Sequence, residues 1–408
     1  MKCAHNILLQ REDLTVALSV WEISAGVKID LPQTAMKRVV AIAFLLVAFE
    51  AVYSMLKPLS YAVSQSAMFR ANLERTGIYK TQGIQRLHGV KWKFKTERVI
   101  EAWFSSPTVS DDTVYFGSDD SYVYALNTLT GELKWKFKTG DVVYSSPAVA
   151  NGAVYVGSHD GYLYAVDGRT GDERWKFKTG NRVYSSPALS GGTVYFGSAD
   201  AYLYAVNVAT GKLVWKFKAG SWIESSPAIA EATIYFGCWD AYLYAVDMAT
   251  GQEKWRFKTE YRILSSPAVV EGTIYFGSMD GIFYAVNAQS GQEQWRFKTN
   301  ERIRSSPAIE NHTVYFGGDD GQFYALDTET GKEKWRIKTG GPIISSASIA
   351  AGIAYFGCGD GHLYAIDVET GKRMWRFKGP FGWMRSSPAV ANRMIYFGGD
   401  DGDLYALH

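Results

Sequence analysis

Eight tryptophans recur at a nearly constant interval: Trp92, Trp135, Trp175, Trp215, Trp255, Trp295, Trp335 and Trp375, the first step being 43 residues and the next six 40. Two other series keep the same rhythm. One is Ser105, Ser145, Ser185, Ser225, Ser265, Ser305, Ser345 and Ser386; the other is Tyr115, Tyr155, Tyr195, Tyr235, Tyr275, Tyr315, Tyr355 and Tyr396. A period of this length excludes most globular folds, because such a unit buries its apolar face only against a copy of itself.

One unit, residues 185–219, contains four short runs separated by turn signals. They are 185–189 (SSPAL), 193–198 (TVYFGS), 202–207 (YLYAVN) and 213–218 (LVWKFK), here strands A to D. Their length and their β-branched and aromatic content predict strands. Between B and C an Asp followed by a small residue, as at Asp160-Gly161, is a hairpin signal. Between C and D the pattern of Asp167, Thr170 and Gly171 supplies a side-chain acceptor for turn N–H groups and a residue that accepts positive φ. A four-stranded antiparallel sheet of about 40 residues is the blade of a β-propeller.

The two ends of the repeat are complementary. A lone D strand, residues 91–95, precedes the first A strand, and the last unit supplies A, B and C before His408. The predicted fold is therefore all-β: an eight-bladed propeller of four-stranded antiparallel blades, closed by an N-terminal strand D that completes the C-terminal blade. A linear solenoid would carry capped rather than complementary end repeats. In strand D, Trp135 and Phe137 share one face and Lys134, Lys136 and Lys138 the other. The aromatic face is expected to pack between blades. The lysines, interleaved with Glu132, Glu173 and Glu253, read as a solvated outer rim rather than a nucleic-acid patch. Pro107, Pro147, Pro187, Pro227, Pro267, Pro307 and Pro388 place strand A at the inner edge, beside the axial channel.

Composition adds limits. The chain is 47% hydrophobic and 21% charged, enough for a large core, and its net charge of +2 lends no support to nucleic-acid binding. Cys3, Cys238 and Cys358 form no C-x-x-C pattern, so a disulfide framework, zinc site or attached haem is not expected. Cys238 and Cys358 occupy one repeat position three blades apart, beyond disulfide reach, and read as free thiols. Met36, Lys37 and Arg38 lead into an apolar run, 39–49 (VVAIAFLLVAF), with Ser60 and Ala62 suited to cleavage. Residues 36–62 are read as an export signal, with a membrane anchor as the alternative. Residues 1–35 form an extension, 63–90 a lead-in and 91–408 the propeller, which is expected to be monomeric and to lie in the periplasm, at the cell surface or outside the cell.

The run 165–175 (AVDGRTGDERW), with its Ala, Asp, Thr-Gly and Trp spacing, resembles the tryptophan-docking repeat of pyrroloquinoline-quinone (PQQ)-type propellers, and the resemblance covers residues 91–408. Met68-Phe69-Arg70 and Arg75-Thr76-Gly77 resemble the lead-in segment of such proteins. The family includes PQQ-dependent alcohol dehydrogenases, the propeller scaffold of the bacterial outer-membrane barrel assembly machinery, and exported proteins of unknown role. The resemblance thus implies eight blades without implying catalysis. Its dehydrogenases carry adjacent cysteines against the quinone, and a Glu, an Asn and an Asp at calcium, on insertions that these uniform units lack. Asp119-Asp120, Asp319-Asp320 and Asp400-Asp401 read as hairpin residues, since one Asp of each set recurs in every unit. No catalytic residue or metal ligand is assigned.

Residues that depart from the repeat cluster in two places. The link from D to A holds Glu101, Trp103, Phe104, Tyr144, Arg182, Tyr184, Trp222, Glu224, Tyr261, Arg262, Arg302, Arg304, Trp383 and Arg385. The turn from B to C holds Asp119, His159, Trp239, Met279, Asp319 and Asp400. In an antiparallel blade both lie on one side of the ring, and Trp, Tyr and Arg there suggest a recognition surface. Arg182, Arg262, Arg302 and Arg304 are expected to form an arc suited to an anion. The expected function is an exported, non-enzymatic scaffold that binds a protein or peptide without a cofactor. The alternative is a quinone-dependent oxidoreductase, alcohol dehydrogenase-like, holding PQQ with calcium in the central funnel.

Overall fold

A computed structural model describes residues 67–97, 105–379 and 382–408. Residues 1–35 and 36–62, read above as an extension and an export signal, lie outside these residues. Among the described residues no helix is long and apolar enough to cross a membrane. The strands form eight four-stranded sheets, each with its strands in the order A, B, C, D. In blade 4 these are Ala228–Ala230, Thr233–Gly237, Tyr242–Asp247 and Glu253–Lys258. Strand B is buried throughout and strand C at its four central positions, whereas D alternates between half-buried and exposed residues. That gradient is what a sheet flanked by two other sheets requires: continuous apolar burial inside and a two-residue period at the rim.

Closure of the ring follows the expected splice. Val90–Lys95 pairs antiparallel with Asp403–Leu407, in the sheet that also holds Ala389–Ala391 and Met394–Gly398. A second circuit runs close to the axis. The N–H groups of Ser106, Ser146, Ser186, Ser226, Ser266, Ser306, Ser346 and Ser387 each donate to the hydroxyl of the next serine, and Ser387 returns to Ser106, at 2.8 to 3.1 Å. Strand A is shorter than the sequence suggests for this reason. It begins after the proline, as at Ala188–Ser190, because the serine N–H is spent around the ring and proline has none to offer.

The tryptophan series joins each blade to the next. Trp255 Nε1–H donates to Ala288 O at 3.1 Å, and its ring lies where a Cβ on Gly291 would sit at 2.7 Å. Gly291 also has a φ of +71°, so the turn demands glycine twice over. The same bond runs from Trp92, Trp135, Trp175, Trp215, Trp295 and Trp335 to the C-to-D turn of the following blade. Trp375 is different. Its Nε1–H donates to Ile84 O at 2.9 Å, so the lead-in stands where blade 8 has no C-to-D turn of its own.

The lead-in then occupies the inner edge of the A strands. Carbonyls of Ala67, Leu73, Glu74, Thr76 and Gly77 accept the N–H groups of Val149, Ile229, Val269, Ile309 and Ile349 in turn, at 2.7 to 3.0 Å. Arg75 is fully buried and donates to Pro227 O at 2.6 Å, Phe69 O at 2.7 Å and Ser186 O at 3.0 Å. Arg70 reaches Ala347 O at 2.7 Å and also Pro307 O. Burial holds both guanidinium groups below their usual range, at about 10 for Arg70 and about 9 for Arg75. The channel expected at the axis is therefore lined by the chain's own lead-in rather than by open strand edges.

Candidate functional site

Backbone bonding brings the two departing clusters together. The N–H of the B-to-C turn residue donates to the carbonyl of the D-to-A link: His159 to Val142, Trp239 to Trp222, Met279 to Arg262 and Asp319 to Arg302, at 2.9 to 3.0 Å. The turn itself is fixed by the Asp that recurs in every unit. Asp240 accepts the Tyr242 N–H at 3.1 Å, the Tyr244 hydroxyl at 2.7 Å and the Gly220 N–H at 2.8 Å. Burial, with this carboxylate beside it, pushes the Tyr244 hydroxyl well above the usual phenol range. These aspartates serve the hairpin, as expected, and the variable residue beside each is held at a set height above it.

Four side-chain groups result. Between blades 2 and 3, the His159 ring meets Tyr144 at 4.5 Å and Tyr184 at 4.2 Å between centroids. Arg182 Nη1 donates to the Tyr184 hydroxyl at 3.4 Å. Burial, reinforced by Arg182, pulls the His159 imidazole down to about 4, so it is neutral at pH 7.

Between blades 4 and 5, Trp222 and Trp239 are 4.8 Å apart, and the Arg262 guanidinium lies 4.3 Å from the Trp239 ring and 5.0 Å from Tyr261. Trp239 Nε1–H donates to Glu224 at 3.1 Å. Burial raises the Glu224 carboxyl, and that bond together with Arg262 opposes the rise. Trp222 and Tyr261, the two ends of this stack, are 38% and 47% exposed.

Ion pairs hold the other two, on blades 6 and 8. Arg304 meets Asp319 through two nitrogens, at 3.0 and 2.8 Å. In blade 8, Asp400 accepts the Trp383 N–H at 3.1 Å and pairs with Arg385 at 3.5 Å, while Arg385 lies 5.1 Å from the Trp383 ring.

The expected arginine arc is thus divided. Arg304 is taken up by a carboxylate and Arg262 by two rings, while Arg182 and Arg302 are exposed. Glu101, Trp103 and Phe104 lie outside the described residues. Cys238 and Cys358 are free and buried, each thiol donating to a link carbonyl at 3.3 Å, where Ser158 and Ser278 make the same bond in their blades. Burial pushes the Cys238 thiol up to about 12, which makes it a packing residue rather than a nucleophile.

Calcium with a quinone would need several oxygen donors converging on one point. Among the described residues no group of three His, Cys, Asp or Glu converges in that way. Glu224, Asp319 and Asp400 stand on separate blades and are engaged by Trp239, Arg304, and Trp383 with Arg385. The sequence placed Arg70 and Arg75 in a lead-in motif without a role and did not mark Ile84; the roles of all three appear only once the lead-in is placed against the ring. The signal for the two arginines was the lead-in motif of 68–70 (MFR) and 75–77 (RTG).

A family model described as the beta-propeller of beta-alanine-activating enzyme matches residues 190–408, and one described as outer membrane protein assembly factor BamB matches residues 87–216. Among solved structures, the chain is similar to BamB from Moraxella catarrhalis, with 17% identity and a TM-score of 0.65 over 78% of this chain and 99% of that one. It is similar to a europium-containing methanol dehydrogenase at 16% identity and a TM-score of 0.70, over 84% and 98%. The quinohemoprotein alcohol dehydrogenase from Comamonas testosteroni gives 16% and 0.71, over 83% and 80%. At such identities the likeness is one of fold alone. No curated protein sequence matches significantly. With more than half its length inside the first match, the chain belongs to the family of the beta-alanine-activating enzyme beta-propeller, and its fold is an eight-bladed propeller of the PQQ and BamB type.

Proposed function

We propose that the chain is an exported, non-catalytic scaffold that receives a protein or peptide on the face of D-to-A links and B-to-C turns. The observation that carries this is the stack of Trp222, Trp239, Arg262 and Tyr261. The blade architecture does not require these residues, yet they are held in register and expose a Trp and a Tyr at the rim. Pre-ordered Trp, Tyr and Arg side chains lose little entropy on binding and dominate interface energetics. The fold likeness to BamB, named an assembly factor, supports the same reading.

The test is photo-crosslinking in the native cell envelope. A benzophenone amino acid at Tyr261 should yield a discrete adduct, and one at Ala209, in a C-to-D turn on the opposite side, should not. Trp222→Ala with Trp239→Ala should remove the adduct while leaving the circular dichroism spectrum unchanged. Equal labelling from both positions, or an adduct that survives the double substitution, would exclude this face. A quinone absorption band after reconstitution with PQQ and calcium, together with dye-linked alcohol oxidation, would replace the scaffold by the oxidoreductase.

A further inference from the structure

We infer that a cleft at the seam of the ring binds a small phosphomonoester carrying an apolar group. At the other seven blade junctions a C-to-D turn receives the preceding tryptophan; at this one the lead-in does so. Beside that substitution opens a cavity of about 640 Å3, bounded by residues 82–91, the C-to-D turn of blade 1 and the A-to-B turns of blades 7 and 8. Its size lies in the ordinary range for small-molecule sites.

The charge of the cleft is one-sided. Arg86, Lys91 and Arg393 line it together with His88 and His408, and none of its lining residues is Asp or Glu. Three cations on the wall of one cleft, with no acidic residue in its lining, favour an anion there over a neutral group. A phosphomonoester carries close to two negative charges at neutral pH, a better match than a single carboxylate. The lining is also apolar in part: Ile84 and Met394 are nearly buried, whereas Leu129 is 60% exposed. A ligand with an aryl or alkyl body would cover Leu129 while its head meets the arginines.

The walls are already in place. Ile84 N–H donates to the Tyr355 hydroxyl at 2.6 Å, and its carbonyl accepts Trp375. His88 N–H donates to His408 O at 2.7 Å, His408 N–H to Gly89 O at 3.1 Å, and the two imidazoles stack at 5.8 Å. Arg393 Nε donates to the Gln82 side chain, joining two residues of the cleft lining. With the backbone and apolar wall fixed in this way, a ligand's body meets a surface that is already ordered.

The same head group reaches the site either on a soluble molecule or on an anionic lipid, so both are presented to the full chain. Calorimetric titration with phenyl phosphate should show one saturable site, with phenol and inorganic phosphate each binding at least tenfold more weakly. Saturable binding only to vesicles containing phosphatidic acid would support the same chemistry from a lipid source. The exposed pair Arg86→Gln and Arg393→Gln should weaken binding at least tenfold with an unchanged melting temperature of the free protein. No saturable binding to either probe overturns the inference, and so does equal affinity in the double variant.

Discussion

At the scale of single residues, the fold depends on positions where only one side chain fits. Gly291 is one: a Cβ there meets both an unfavourable φ of +71° and the Trp255 ring at 2.7 Å. Gly291→Ala should destabilise the protein by about 2–3 kcal/mol, read from the midpoint of urea denaturation. His159 makes a pH-dependent contribution. Its folded pKa of about 4 lies below the ordinary 6.5, so between those values the unfolded chain binds more protons. The stability contributed by keeping His159 neutral is complete above about pH 6.5 and is lost as the pH falls toward 4. At this partly exposed site the loss is on the order of 1–2 kcal/mol after solvent screening. Relative to His159→Phe, the parent protein should lose that amount between pH 6.5 and 4 in paired denaturation curves. Parallel curves would show that the imidazole is not buried between the tyrosines.

Among the elements, the lead-in is the one whose removal the repeat cannot compensate. It replaces a missing turn at Ile84, satisfies A-strand N–H groups from Val149 to Ile349, and delivers two arginines whose partners are backbone carbonyls. Gly83 is its narrow point, since a Cβ there lies 2.6 Å from Ala350 O and 2.7 Å from the Tyr355 hydroxyl. Gly83→Ala should lift Ile84 off Trp375 and loosen the seam. Hydrogen exchange is expected to accelerate in Val90–Lys95 and Asp403–Leu407, while Tyr242–Asp247 on the far side stays protected. Uniform exchange across both regions would mean that the lead-in does not brace the closure.

Over the whole molecule, two circuits hold eight sheets in one wheel: the strand splice of blade 8 and the unbroken ring of serine N–H to hydroxyl bonds. Each blade contacts two neighbours and none is terminal, so the ends that fray in a linear array are absent. Unfolding should therefore follow a single transition, coincident by far-UV circular dichroism and by indole fluorescence. Two separated transitions would indicate that part of the ring opens independently.

The repeat makes most of this architecture legible in the sequence alone. A 40-residue rhythm of Trp, Ser and Tyr, with turn residues between alternating strands, specifies a blade, because the pleat and the turn act over short distances along the chain. Trp92 ahead of the first unit and the missing D strand of the last one sufficed for the closure. The variable residues were also locatable, since departure from a repeat is visible in the string itself. Which of them engage one another was not. Arg304 with Asp319, Trp239 with Glu224, and His159 between Tyr144 and Tyr184 depend on how far links and turns reach across a blade. The placement of Arg70, Arg75 and Ile84 was further out of view. Apart from the local bond of Arg75 to Phe69 O, the partners named above are backbone carbonyls and aromatic groups more than a hundred residues away, and contacts of that kind leave no pattern in local sequence because only the closed ring brings them within hydrogen-bond distance.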